Sequence, residues 1–217
     1  MKIAVLVPAW KRPEVLRVAF DHWKNPQKKL KIELFFCFVL SPTDPYYDEN
    51  LAILSDFLAK SEHNGIIVKA DNNPLGSKMN DGLRILQAYK WDYLMNFGSD
   101  DILSDLYWLR FYPHLHNRDE YIVMNLVVFV DCIKKEAILA TYPIVGAGRL
   151  IARRLIDETM DYLGFVYTPK LNSGMDTSSR NNIQSVCTFS TTLVKGAYVA
   201  DLKTFTNINL YQEIKQA

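Results

Sequence analysis

The sequence predicts an α/β fold: a mostly parallel central sheet flanked by helices, followed by a mixed α+β extension. Three observations point there. IAVLV (3–7), LFFCFVL (34–40), GIIV (65–68) and DYLMNF (92–97) are short continuous apolar runs, the pattern of strands covered on both faces. Apolar residues at helical spacing fill the gaps between those runs, so strand and helix alternate as in sheets built from crossovers. After about residue 105 that rhythm stops.

The first helix follows from Val15, Leu16, Val18, Ala19, His22 and Trp23, with Pro13 fitted to its first turn and Glu14 placed against the helix dipole. Leu51, Leu54, Phe57 and Leu58 predict the second helix, and Met79, Leu83, Leu86 and Tyr89 the third. Beyond 105, Ser104 is read as the cap of a short helix through Tyr112. A long strand over 121–131 follows, turned by Lys134 and Lys135 into EAILATY (136–142). GRLIARRLIDETMDYLG (148–164) reads as an amphipathic helix with Leu150, Ile151, Leu155, Ile156, Met160 and Leu163 inward and Gly164 as its stop. Short strands near 186–194 and 197–202 and a final helix near 207–216 complete the expectation. The whole of 1–217 reads as one domain.

Of the 217 residues, 49% are hydrophobic and 23% charged, and the formal net charge is +1. That is the balance of a soluble globular protein, and it argues against bulk attraction to nucleic acid or membrane. MKIAVLVPAW has too short an apolar stretch for a secretory signal. YIVMNLVVFV (121–130) is half the length of a membrane-spanning helix. Cys37 and Cys132 sit in apolar runs and, with Cys187, read as buried free thiols in a reducing cytoplasm rather than as nucleophiles.

Ligands of open α/β sheets bind beyond the carboxyl ends of the strands. That rule brings PAWKRP (8–13), SPTDPYYDE (41–49), ADNNPLGSKMNDG (70–82) and GSDD (98–101) around one crevice. GSDD has two readings: a turn whose Asp100 or Asp101 caps the next helix, or carboxylates for Mg²⁺ or Mn²⁺ carrying a nucleotide phosphate. In NNPLGSKMNDG, Gly76 would let backbone approach a ligand, Lys78 would face a phosphate or base, and Asn80 would point back to the crevice; the plain alternative is a loop capped by Ser77. GAGR (146–149) would bring N–H groups to an anion or simply start a helix. RLIARR (149–154) suits a phosphate-rich acceptor or a solvated helix face. His114 and His116 lack a third ligand and read as surface residues.

Together VLVPAWKRPEVL, NPLGSKMNDGL and YLMNFGSDDIL resemble, in order and spacing, the GT-A-fold nucleotide-sugar glycosyltransferases, family 2 above all. The likeness covers about the first 105 residues. It implies a GT-A-like sheet whose first half, about 1–105, binds the donor, and whose second half, about 106–217, supplies the acceptor side. It implies that Pro8, Ala9 and Arg12 line the nucleotide pocket, that Asp44 contacts base or ribose, and that Asn73, Gly76, Lys78, Asn80 and Ser99 border the nucleotide and donor sugar. Asp100 would be the second acid of the family's D-x-D, with Asp101 beside it, holding a Mn²⁺ or Mg²⁺ ion; the first acid is replaced by Gly98. Asp201 would complete the metal site, or Lys203 would neutralise the leaving diphosphate. Asp176, in LNSGMDTSSRNN (171–182), is the match to the base of inverting members, or else a helix cap. The activity implied is hexosyl transfer from a nucleotide-diphosphate sugar, a UDP-sugar favoured, to a hydroxyl on a glycan, protein or modified nucleic-acid base. The alternatives are a nucleotidyltransferase and a non-catalytic nucleotide-sugar or glycan-binding protein.

Overall fold

A computed structural model describes residues 1–204. The helix expected near 207–216 lies outside the described residues. The first half is laid down as β1 (Lys2–Ala9), α1 (Pro13–Asp21), β2 (Glu33–Leu40), α2 (Tyr47–Lys60), β3 (Asn64–Lys69), α3 (Leu75–Leu86) and β4 (Tyr93–Asn96). Strands β3, β2, β1 and β4 lie side by side in that order, all parallel. In β1 the side chains alternate between two cores. Ile3, Val5 and Val7 join the cluster under α1 and α2, whereas Ala4 and Leu6 join the one under α3. Both faces are covered, which is why the run carries no polar alternation.

The second half is mixed. It comprises β5 (Asp101–Leu103), α4 (Tyr107–His116), β6 (Tyr121–Asp131), β7 (Glu136–Thr141), β8 (Leu150–Ala152), α5 (Arg153–Leu163), α6 (Met175–Val186) and β9 (Thr191–Lys203). From β4 the sheet continues through β8, β6, β9 and β5, with β7 pairing Leu126–Asp131 of β6 beyond the short β8. β8 is antiparallel to both β4 and β6, and β9 runs parallel to β6 but antiparallel to β5. No helix among the described residues is long and apolar enough to cross a membrane.

Several expectations are corrected. The stretch 148–164 is not one helix: Leu150–Ala152 form β8, and α5 starts at Arg153. GAGR therefore enters a strand, not a helix, and offers no helix N-terminus to an anion. Ser104 does not cap α4; its hydroxyl accepts the Tyr198 N–H. The polar stretch 171–182, which suggests no element beyond a helix for Asp176 to cap, contains most of the helix α6, Met175–Val186. The two short strands of the tail are one strand, β9, interrupted at Gly196, where φ is +76° and the register against β6 slips between Met124 and Leu126. Cys132 is exposed, while Cys37 and Cys187 are buried; all three are free thiols.

Candidate active site

The carboxyl ends of β1 and β4 open into a cleft of about 790 Å³. Pro8, Arg12, Asn73, Ser99 and Asp100 line it as the resemblance implies, and so do Trp10, Lys11 and Asn172, which the sequence reading passed over. A second depression of about 560 Å³ lies between the opposite strand ends and contains none of the aspartates discussed below.

Behind Asp100 three carboxylates converge. Asp101 and Asp201 are cross-strand partners in the β5–β9 ladder, and one oxygen each from Asp100, Asp101 and Asp201 lie within 4.8 Å of one another. Asp101 is in a strand, so the helix-capping reading of GSDD fails. Like charges so placed repel, and burial adds to the cost. Burial first, then Asp100 and Asp201, hold the Asp101 carboxyl well above its usual range, against the Gly98 N–H and Lys203. Burial and Asp100 push Asp201 up to about 6. Two cations offset the cluster: Arg12 Nη1 meets Asp100 Oδ2 at 2.7 Å, and Lys203 Nζ meets Asp201 Oδ2 at 2.6 Å. Asp201 Oδ1 is buried with no hydrogen-bond partner among the described residues. Oxygen-only, anionic and carrying a buried unpaired acceptor, this donor set fits a hard divalent cation.

The loop bearing Arg12 is held under strain. Lys11 and Arg12 both have positive φ, +56° and +54°, an uncommon state for side chains with a Cβ and one that needs external support. Asp44 provides it. Its Oδ2 accepts the Lys11 N–H at 2.6 Å and Asn50 Nδ2 at 3.1 Å, and its Oδ1 accepts the Tyr46 N–H at 2.9 Å. Asp44 is thus buried as a loop anchor and is not on the cleft wall.

Other expected donor contacts turn inward in the same way. Lys78 is fully buried and donates to the Ala9 carbonyl at 2.5 Å and Asn72 Oδ1 at 2.9 Å. Burial lowers its pKa to about 7, only partly offset by Asp44. It braces the two cleft loops from behind, and Ala9 contributes that carbonyl rather than a cleft surface. Asn80 is equally buried: its amide donates to the Tyr167 carbonyl at 2.6 Å, and its oxygen accepts the Val166 and Tyr167 N–H groups. Gly76 approaches the chain itself, not a ligand, donating its N–H to Leu171 at 2.9 Å with the Thr168 carbonyl packed over its Cα. Ser77 bonds the Pro169 carbonyl and caps nothing. Together these contacts tie α3 to segment 166–172, which brings Asn172 to the cleft.

Asp176 lies in the first turn of α6, where its side chain makes no cap bond. Its carboxylate is 56% exposed and meets Arg149 Nη2 at 3.1 Å, while that guanidinium side chain is only 1% exposed. Arg149 also donates to Tyr121 Oη, Ser179 Oγ and the Asp176 carbonyl. The Asn96 carboxamide, oriented to satisfy its neighbours, presents its oxygen to Arg149 and its nitrogen to Tyr167 Oη. Gly146 makes room for the pair, since a Cβ there would overlap the Asp176 carboxylate. Nothing in the sequence marked Arg149 as the buried centre of this network. Arg153 and Arg154 lie elsewhere: Ala152 pairs with Tyr93 at the start of β4, so both follow the sheet edge opposite the cleft and pair with Asp157, Glu120 and Glu158. His114 pairs with Asp119 in the last turn of α4.

No protein-family model and no curated protein sequence matches the chain. Solved structures match in fold. S. aureus TarS 1–349 in complex with UDP-GlcNAc superposes with a TM-score of 0.64 at 12% identity, over 94% of this chain and 59% of that one. The same TarS segment with UDP gives 0.62 at 14%, over 99% and 63%. The chain thus spans less than two thirds of the length of these TarS chains. A 4-diphosphocytidyl-2C-methyl-D-erythritol synthase from Anaerococcus prevotii gives 0.56 at 14% identity, over 99% and 98%. TarS is a GT-A-type glycosyltransferase, and the fold of this chain is GT-A-like.

Proposed function

We propose, on the premise of a GT-A-like fold, that the protein moves a hexosyl group from a nucleotide-diphosphate sugar, first of all a UDP-sugar, to an acceptor hydroxyl. The observation that carries this reading is the convergence of Asp100, Asp101 and Asp201 at the wall of the cleft beyond β1 and β4. Asp100, Asp101 and Asp201 would hold a Mn²⁺ or Mg²⁺ ion. Bound there, the ion supplies Lewis-acid charge against the departing diphosphate.

The chain's own groups do the rest. Arg12 and Lys11 line the cleft and offer fixed positive charge to phosphate oxygens. The Trp10 indole, with the Lys11 ammonium 5.4 Å from its ring centre, gives the cleft a flat apolar wall. Lys203, buried against Asp201, tunes the cluster and does not itself reach the diphosphate. Asp176 is the general base, held by Arg149 with its carboxylate open to solvent. It takes the acceptor hydroxyl proton as that oxygen bonds the anomeric carbon, and the bond to the diphosphate oxygen breaks with its electron pair. Displacement from the face opposite the leaving group inverts the anomeric centre. The free thiols favour the reducing cytoplasm as its compartment.

Near-complete mutual coverage with the diphosphocytidyl-methylerythritol synthase supports a second reading, a nucleotidyltransferase. The loop after β1 argues against it, being PAWKRP rather than glycine-rich. The test is donor hydrolysis and ligand-induced thermal shift across UDP-, GDP- and dTDP-sugars, and CTP with sugar phosphates, each with Mn²⁺ or EDTA. A Mn²⁺-dependent shift with one sugar nucleotide, slow hydrolysis of it and loss of both in Asp100→Ala is the expected result. A response to CTP alone transfers the assignment to the second reading, and binding without turnover in the presence of glycan and protein acceptors makes it a binding protein.

A further inference from the structure

The neighbourhood of Lys203 contains one carboxylate that the site above does not use. Asp131, the last residue of β6, is 1% exposed. Its Oδ1 accepts the N–H groups of Ile133 and Lys134, both at 2.9 Å, and so shapes the turn into β7. Its Oδ2 is buried and has no hydrogen-bond partner among the described residues. A buried carboxylate oxygen left bare costs several kcal/mol, so this atom calls for a cation or donor in some state of the protein.

Lys203 is the register partner of Asp131 in the parallel β6–β9 pair. Paired residues of neighbouring strands project from the same face, with backbones about 5 Å apart. Asp201 and Phe129 form the next pair in the same ladder, two residues back on each strand and hence on the same face. The Lys203 ammonium lies 5.4 Å from the centre of the Phe129 ring and bonds Asp201 Oδ2 at 2.6 Å. It therefore bonds one carboxylate, while its register partner on β6 carries another whose second oxygen is unused. Lys203 is only 5% exposed. A cation entering between Asp100, Asp101 and Asp201 repels it, and a buried ammonium deprived of its partner is strongly unfavourable unless another takes over.

We propose that Lys203 is a movable counter-ion, which holds Asp201 while the carboxylate cluster is free and passes to Asp131 when a divalent cation takes Asp201. The proposal rests on the reading of that cluster as a metal site. Lys203 and Asp131 are positioning residues: they touch neither donor nor acceptor, and set how readily the cluster accepts its ion. Arg12 needs no such reserve partner, because it lines the open cleft and a phosphate oxygen or water can receive it.

The test is a double-mutant cycle read by isothermal titration calorimetry of Mn²⁺ alone, without nucleotide, on wild type, Asp131→Asn, Lys203→Met and the double variant. Asparagine keeps the Oδ1 acceptor that the turn needs and removes only the charge-bearing second oxygen. The loss of a charge-assisted hydrogen bond in the bound state should weaken Mn²⁺ binding about tenfold in Asp131→Asn. In the Lys203→Met background, with no lysine to receive, the same change should alter affinity by less than about twofold. Equal weakening in both backgrounds would mean that Asp131 acts only through its charge, and would overturn the hand-off, as would unchanged affinity in Asp131→Asn. Failure of wild type to bind Mn²⁺, or binding indifferent to Asp201→Asn, would instead overturn the metal site and this proposal with it. A crystal structure of the wild type with Mn²⁺ decides the matter without any variant: Lys203 Nζ is expected at hydrogen-bond distance from Asp131 Oδ2, and its retention on Asp201 would refute the exchange.

Discussion

At position 98 the chain has glycine where the resemblance would put the first acid of a D-x-D, and the packing there fits glycine. The Gly98 N–H donates to Asp101 Oδ2 at 2.8 Å, and a Cβ at 98 would overlap that same oxygen and approach Asp100 Oδ1 to 3.0 Å. Glycine is thus required by the position of Asp101, and the third carboxylate comes from Asp201 instead. Gly98→Asp, which restores the pattern on paper, should expel the Asp101 side chain. Mn²⁺ affinity is expected to fall, and thermal melting of the metal-free variant to come earlier than in wild type. Lys78 permits a test in pH. Its folded pKa of about 7 lies below the ordinary 10.5, so between those values the unfolded chain binds more protons than the folded one. Stability from this group therefore rises as pH goes from about 7 to about 10.5. Lys78→Met should remove that rise, which shows as a wild-type-minus-variant difference in urea midpoints that grows with pH. Asp100 and Asp101 stand out in the sequence because only Gly98 and Ser99 separate them from an apolar run. The inward roles of Asp44, Lys78 and Asn80 do not, because each depends on backbone groups far along the chain: the Lys11 N–H, the Ala9 carbonyl and residues 166–167.

The elements divide along the same line. α1–α3 were legible from their helical periodicity, and β1–β4 from short continuous apolar runs set between those helices. β8 was not: Leu150 belongs to one core and Ile151 to the other, but three residues are too few to reveal alternation, and they continue the helical stripe of α5. α6 was missed for a different reason. MDTSSRNNIQSV is poor in strong helix formers, and the helix is held by tertiary bonds such as Asn182 to the Val166 carbonyl and Ser179 to Arg149. The seam between α3 and segment 166–168 depends on one side chain. Asn80→Ala would leave three buried backbone groups without partners, a loss of about 2–4 kcal/mol, measurable by urea denaturation. Sugar-nucleotide affinity should fall less than stability, because Leu75 and Gly76 hold Asn172 and Leu171 at the cleft independently of Asn80.

Across the whole molecule one sheet carries both halves, and the cluster draws on each: Asp100 and Asp101 precede β6, while Asp201 follows it. The division into a donor half and an acceptor half was the part of the sequence reading with least physical basis, since strand pairing over that distance leaves no local signal. Because Asp201 lies about a hundred residues along the chain from Asp100 and Asp101 and meets them only through the β5–β9 pairing, an ion bound among them has no equivalent site in the unfolded chain. At one hundred times its dissociation constant, Mn²⁺ should add about 2.7 kcal/mol to folding, a rise of about 5–10 °C in melting temperature for a chain of this size. EDTA should reverse the rise, and Asp201→Asn should not show it.

The pairing of Asp101 with Asp201 also sets an order in time. Translation proceeds from the N-terminus, so β1–β4 and the cleft loops at 10–12, 72–75 and 98–100 leave the ribosome about a hundred codons before the residue that completes the acid cluster. During that interval a nascent chain can form that part of the cleft wall but cannot bring the three carboxylates together. An ion held by the cluster would therefore be captured only after residue 201 has left the ribosome, and ribosome-tethered chains of increasing length should acquire Mn²⁺-dependent protease resistance in a single late step.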